Sequence, residues 1–182
     1  MRIRDARAED GAPLAEIYRP YVETSAVSFE DEAPDAVALV ARMLAAPRLP
    51  WAVAEDGTGD VVGYAYATGH RGRAAYRWAV DCSVYLSPDA RGRGTGRLLY
   101  ATLLPLLRDL GYWRAYAGIA LPNPASVGLH QAMGFTPVGV YKDVGYKLGR
   151  WHDVGWWQLP LEATSAQQPP QEPRFWHPHS EG

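Results

Sequence analysis

Hydrophobic and polar positions along this chain switch between a two-residue and a 3.6-residue period, and the switches mark out its elements. Ile3 begins a short strand. Arg7-Ala8-Glu9-Asp10 leads into a helix through Leu14, Ile17 and Tyr18, which Pro20 is expected to disturb because proline offers no N–H to the helix ladder. Pro34 suits a helix start ahead of Val37, Leu39, Val40, Met43 and Leu44, with Pro47 and Pro50 beyond the end. Trp51 to Glu55 and Val61 to Thr68 read as strands, and the D-G-T-G-D between them as a hairpin turn. A third strand runs from about Arg77 to Leu86. Leu99, Leu103, Leu106, Leu107 and Leu110 then recur at i, i+4, i+7, i+8 and i+11, one buried helical stripe that Pro105 should kink and Gly111 should cap. Trp113 to Ala120 reads as a strand, Asn123 to Met133 as a short helix ending before Gly134, and Phe135 to Lys142 with Trp151 to Leu161 as a closing strand pair.

The order β-α-α-β-β-β-α-β-α-β-β, without internal repeats, predicts an α/β domain of the α+β kind: a mixed central sheet with helices on both faces. At 182 residues one core suffices, burying about 70% of the unfolded surface. The folded unit is expected over residues 1–162. The Pro/Gln/His-rich stretch 163–182 reads as a disordered or loosely attached tail.

Composition narrows the function classes. The content is 47% hydrophobic and 21% charged, with a formal charge of −2, so nucleic acid is not an expected partner. No run of residues is apolar for the length of a membrane span. One cysteine, Cys82, excludes an internal disulfide and a thiolate-rich metal site, and the histidines lack metal-ligand spacing, so no metal is expected. The N-terminus M-R-I-R-D-A-R lacks the apolar core of a signal peptide, and a cytoplasmic location is expected.

The segment V-Y-L-S-P-D-A-R-G-R-G-T-G, Val84 to Gly96, carries the most chemistry: a strand, then a turn rich in glycine and arginine, then the leucine-striped helix. The first turn of a helix leaves N–H groups unpaired and carries about half a positive charge from the helix dipole, which suits a pyrophosphate. Gly92, Gly94 and Gly96 remove the Cβ atoms that would hold a phosphate off, and Arg91, Arg93 and Arg97 add positive charge. A P-loop and a dinucleotide fingerprint both fail on spacing, since no Lys follows the glycines.

Arg91-x-x-Gly94-x-Gly96 resembles the acetyl-CoA signature [QR]-x-x-G-x-[GA] of the GCN5-related N-acetyltransferases (GNAT). Within that superfamily the chain resembles the phosphinothricin N-acetyltransferase family over about residues 2–161. The resembling segments are Y-V-E-T-S-A-V-S-F (Tyr21 to Phe29), A-Y-R-W (Ala75 to Trp78), S-V-Y-L-S-P (Ser83 to Pro88), L-P-N-P-A-S-V (Leu121 to Val127), G-L-H (Gly128 to His130) and G-x-W-H-D-V-G-W-W-Q-L (Gly149 to Leu159). The resemblance implies the GNAT fold with a mostly antiparallel sheet, acetyl-CoA as cosubstrate, a homodimer, and transfer of acetyl to the α-amine of phosphinothricin or a similar small amino-acid analogue. Methionine sulfone, methionine sulfoximine or another amino acid is the rival substrate, and a non-catalytic acyl-CoA-binding module the rival of another kind.

The resemblance also implies residue roles. Transfer to an amine requires a base to remove a proton from the ammonium form. Asp81 stands where the family has a glutamate, one methylene longer, so it would act directly or through a water; the bland alternative is a hydrogen-bonding strand residue. His130 matches an active-site histidine that would assist as acid or polariser. Val84, Tyr85 and Leu86 would line the thioester, with β-strand N–H groups near Val84 as an oxyanion site, and Arg91 to Arg97, Thr95 included, would hold the pyrophosphate. Asn123 would bond the pantetheine arm or cap a helix. Arg71, Arg73 and Tyr76 would grip the anionic end of the substrate, Arg71 being the weaker match, and Phe29 and Val154 would line its pocket. Trp151, Trp156 and Trp157 are expected to pack the last strand or a dimer contact. Strand alternation turns Cys82 away from Asp81, against an acetyl-cysteine relay.

Overall fold

In a computed structural model describing residues 1–45, 48–161 and 171–177, the chain forms one seven-stranded sheet with helices on both faces. The elements run β1 (Arg2–Asp5), α1 (Gly11–Glu23), α2 (Ala36–Leu44), β2 (Trp51–Glu55), β3 (Val61–Gly69), β4 (Ala79–Leu86), α3 (Thr95–Asp109), β5 (Arg114–Leu121), α4 (Pro124–Ala132), β6 (Thr136–Lys147) and β7 (Arg150–Pro160). The sheet order is β1-β2-β3-β4-β5-β7-β6, and every neighbouring pair is antiparallel except β4 with β5. That one parallel pair needs a crossover, which α3 supplies.

Alternation along the strands divides the core between two faces. Trp51 and Val53 of β2 pack with Tyr64 of β3 against Leu14, Tyr18 and Val22 of α1 and Leu39 and Met43 of α2. Ala52 and Ala54, with Ala65, Ala67, Val80 and Cys82, face Leu99, Leu103, Leu104 and Leu107 of α3 on the other side. Leu106 and Leu110 of the expected stripe are only part-buried, and Leu104 takes the inner position instead.

Neither proline ends its helix. Helix α1 runs through Pro20 to Glu23, and α3 runs through Pro105 to Asp109. Each proline removes one ladder bond, but the following turn is anchored by a side chain locked in the core, Val22 in α1 and Leu107 in α3. Helix α2 is capped not at Pro34 but by Asp35, whose Oδ1 accepts from the Ala38 N–H at 2.8 Å. Pro47 lies outside the described residues.

Within the stretch read as a loose tail, residues 171–177 depart from that expectation. Trp176 is buried, Glu172 pairs with Arg77 at 2.7 Å, the Arg174 N–H donates to Leu110 O, and the Trp78 indole donates to Gln171 O. The remainder of that stretch lies outside the described residues.

One cation bridges three carbonyls around the α1–α2 loop, beside the Arg42–Glu30 ion pair at 2.7 Å. Lys147 Nζ, at the end of β6, donates to the carbonyls of Val22, Ser28 and Glu30 at 2.5, 2.7 and 2.8 Å. These bonds satisfy backbone acceptors that strand and helix ladders cannot reach, and fix the loop carrying Val27 and Phe29. Lys147→Met, which keeps the stem and loses the donors, should lower unfolding free energy by about 2–4 kcal/mol in urea titration; a change under about 0.5 kcal/mol would mean the loop holds itself.

Candidate active site

Strands β4 and β5 are paired only from Ala79↔Arg114 to Asp81↔Tyr116, although β4 continues to Leu86 and β5 to Leu121. Beyond Asp81 they part, and three cavities lie along the parting. The first, about 380 Å³, is walled by Val84, Leu86, Arg91, Gly92, Gly94 and Thr95, with Gly96, Arg97 and Asn123. The second, about 50 Å³, sits between Cys82–Tyr85 and Ala117–Ala120 and reaches His130. The third, about 280 Å³, is lined by Phe29, Asp81, Val154 and Trp156 among others. Val27 borders all three. A long ligand in the first therefore meets a small one in the third through the second.

The first cavity fits a pyrophosphate-bearing cofactor. No side chain caps the N-terminus of α3, whereas Asp35 caps α2 and Asn123 caps α4. The free N–H groups of that first turn thus face the cavity, and Thr95 Oγ1 is buried there without a hydrogen-bond partner. The glycines differ in purpose. Gly92 and Gly94 adopt φ of +69° and +81° with open space where a Cβ would stand, so turn shape and ligand access both require glycine. At Gly96 a Cβ would meet Leu129 Cδ2 at 2.9 Å, so that glycine serves helix packing. Arg91 lies over the Tyr21 ring at 5.0 Å, and Arg97 reaches the cavity wall. Arg93 is exposed and is not among the lining residues. Asn123 takes its helix-capping role, Oδ1 accepting from the Ser126 N–H at 3.1 Å, while still bordering the first two cavities.

In the third cavity Asp81 stands at the last position of β4 that pairs with β5, on the α1 face, while Cys82 turns into the α3 core. Burial pushes the Asp81 carboxyl above the ordinary range, against the lowering effect of His70 and Arg71. His70 Nδ1 lies 2.6 Å from Asp81 Oδ1. Burial also pushes the Cys82 thiol far up, which disfavours a thiolate nucleophile.

His130 is buried, and both its ring nitrogens are engaged. Nδ1 lies 2.8 Å from Ser126 O and Nε2 lies 3.0 Å from the Tyr100 hydroxyl. The carbonyl must accept, so Nδ1 carries the proton and Nε2 accepts from Tyr100. Burial lowers the imidazole pKa despite the Ser126 contact, so the ring is neutral at pH 7.

The expected substrate residues are only partly brought together. Phe29 and Val154 line the third cavity, with the Phe29 ring pressed where a Gly145 Cβ would stand. Arg71 lies over the Trp156 ring at 5.6 Å. Arg71 is exposed, as are Arg73 and Tyr76 around a 3₁₀ turn, and none of the three is a lining residue. Trp156, expected to pack only, is a cavity wall with a buried Nε1 that has no partner; Trp157 packs the core and Trp151 is exposed.

The sequence pattern singles out neither His70 nor Tyr21 nor Val27. His70 was findable only from strand register, since Gly69↔Val80 sets it diagonally across from Asp81. Tyr21, whose hydroxyl donates to Leu86 O at 2.7 Å, and Val27 come from the distant α1 and its loop. Among the described residues no cluster of His, Cys, Asp and Glu is placed to hold a metal, and no helix is long and apolar enough to cross a membrane.

Comparison with known proteins is consistent with this geometry. Residues 3–156 match the family model of the acetyltransferase (GNAT) domain. The chain is 42% identical to a phosphinothricin N-acetyltransferase of Alcaligenes faecalis, over 92% of this chain and 86% of that one. It is 36% identical to an L-methionine sulfoximine/L-methionine sulfone acetyltransferase of Salmonella typhimurium, over 91% and 98% of the two chains. Among solved structures it superposes with a TM-score of 0.88 on a GNAT superfamily phosphinothricin acetyltransferase from Sinorhizobium meliloti in complex with acetyl-CoA, at 39% identity over 94% of this chain and 93% of that one.

Proposed function

Since this chain belongs to the GNAT family of acetyltransferases, we propose that it acetylates the α-amine of phosphinothricin or a similar small amino-acid analogue by direct transfer, with Asp81 as the base. The observation that carries this reading is the third cavity: a desolvated carboxylate in a space sized for a small amino acid, joined to the cofactor cavity by the parting of β4 and β5.

Bound acetyl-CoA would supply the acetyl thioester; the amine nitrogen would attack its carbonyl carbon, the carbon–sulfur bond would break, and the second proton lost by that nitrogen would pass to the departing sulfur, so that CoA would leave as thiol. The first turn of α3, with Arg91 and Arg97, holds the pyrophosphate, and the unpaired edge of β4 near Val84 presents N–H groups to the carbonyl. Asp81 removes the ammonium proton. A carboxyl raised by burial is a stronger base than an exposed one, which brings it nearer the working pH. His130, neutral and tied to Tyr100 and Ser126, shapes the junction cavity and gives α4 its seat; nothing in its bonding favours an acid role. The core-facing, hard-to-ionise Cys82 favours direct transfer over a relay.

Arg71 is the cation best placed for an anionic substrate group, lying over Trp156 and lowering the Asp81 carboxyl through its charge. Arg73 and Tyr76 would need to turn inward. A second reading, a methionine sulfone or sulfoximine substrate, is favoured by a lining that includes Phe29, Val154 and Trp156 but no cation. The enzyme acts as a cytoplasmic homodimer in this reading. Strand β6 is an open edge twelve residues long, with Val138, Val140, Tyr141, Val144 and Tyr146 exposed, a surface that a second copy would cover.

Thiol release from acetyl-CoA across phosphinothricin, methionine sulfone, methionine sulfoximine and glutamate tests the substrate class. Asp81→Asn should lower kcat by about 10²- to 10⁴-fold with acetyl-CoA affinity unchanged; a fully active variant would remove the base role. Arg71→Ala should raise KM for phosphinothricin about 10- to 150-fold and spare methionine sulfone. Equal losses on both would show that Arg71 supports the loop and does not read the anion.

A further inference from the structure

His70 follows directly after β3, and its backbone N–H donates to Ala79 O at 3.1 Å, continuing the β3·β4 pairing by one residue. Because side chains alternate, this places His70 on the same face as Thr68 and Asp81, diagonal to Asp81 across the strand pair. Three aromatic rings fix the imidazole: Tyr116 stacks on it at 4.4 Å and 22°, Trp156 meets it edge-on at 5.8 Å, and Tyr76 meets it edge-on at 6.1 Å. Held so, Nδ1 faces Asp81 Oδ1 at 2.6 Å, a short hydrogen bond. The other titratable or charged groups facing the pair are Arg71, Tyr76 and Tyr116, with Cys82 on the far face of β4.

We propose that His70 is a positioning residue of the acetyl transfer: its Nδ1–H donates to Asp81 Oδ1, stabilises the carboxylate charge and turns Oδ2 toward the substrate ammonium. The inference rests on the reading of Asp81 as the base. In the step itself an N–H bond of the ammonium breaks, its proton goes to Asp81 Oδ2, and the freed lone pair attacks; the His70 proton stays on Nδ1. Burial disfavours the ionised carboxylate, and the His70 bond works against that penalty. The arrangement also accounts for the shorter acid at this position, since the imidazole fixes from behind a carboxylate that reaches less far.

Three variants separate hydrogen bonding from packing. His70→Phe keeps a ring on Tyr116 without a donor, His70→Asn sets an amide N–H near the Nδ1 position, and His70→Gln sets one a bond further out. The readouts are the pH profile of kcat/KM for the amine and acetyl-CoA affinity by calorimetry. His70→Phe should lower kcat/KM about 10- to 100-fold at pH 7 and move the acidic limb to higher pH, with acetyl-CoA affinity unchanged. His70→Asn should recover most of the rate and return the limb, and His70→Gln should resemble His70→Phe, which keeps the comparison decisive should the Phe variant not fold. In an Asp81→Asn background, His70→Phe should cause no further loss. An unmoved limb in His70→Phe, or equal impairment of the Asn and Gln variants, would overturn the proposal while leaving Asp81 as base. A fully active Asp81→Asn enzyme would overturn both.

Discussion

Strands β4 and β5 share only three paired positions before they separate, and the separation determines what the rest of the molecule must do. Two parallel strands that part in mid-sheet leave backbone N–H and C=O groups facing a gap, and such groups must find other partners. A ligand with its own amides and a thioester carbonyl can supply them. The parting begins at Asp81, so the carboxylate proposed as base lies at its closed end, and α3 begins where β4 leads out of it, so the turn proposed to hold the pyrophosphate lies at its open end. The proposed cofactor site and the proposed base are thus two ends of one topological feature.

Holding such a gap open requires packing on both faces. The α3 leucines brace one side of β4 through Val80 and Cys82, and α1 braces the other through Tyr18 and Tyr21 against Tyr85. The Tyr21 hydroxyl, bonded to the Leu86 carbonyl, pins the free end of β4 to α1. Lys147 draws the α1–α2 loop over the cavities, which brings Val27 and Phe29 to the site. Removing water from this enclosure raises the pKa of the Asp81 carboxyl, and the same desolvation disfavours the charged forms of His130 and Cys82.

What was legible in the sequence was what depends on neighbours along the chain. The turn from Arg91 to Gly96 is local chemistry, and its glycines, arginines and following helix could be read together. The helical and strand periods placed nearly every element in order. Neither Pro20 nor Pro105 ends its helix, since Val22 and Leu107 in the turns that follow are buried in the core. His70, Lys147 and Val27 were hidden because their significance lies in register and in contacts across tens of residues, from Lys147 to Val22 for instance. The docking of Trp176 and Glu172 was hidden likewise, since a Pro- and Gln-rich composition outweighs two residues that find Arg48 and Arg77. Arg71, Arg73 and Tyr76, selected by resemblance, are all exposed, and of the two arginines it is Arg71, the weaker match, that lies over the Trp156 ring.

The most direct test of the account is a crystal structure with acetyl-CoA bound. The pyrophosphate should lie against the N–H groups of Gly92 to Gly96, the pantetheine arm should run between β4 and β5, and the thioester oxygen should sit about 3 Å from a β4 N–H near Val84. An acetyl group lodged outside the gap, or β4 and β5 paired past Asp81 in the complex, would contradict it.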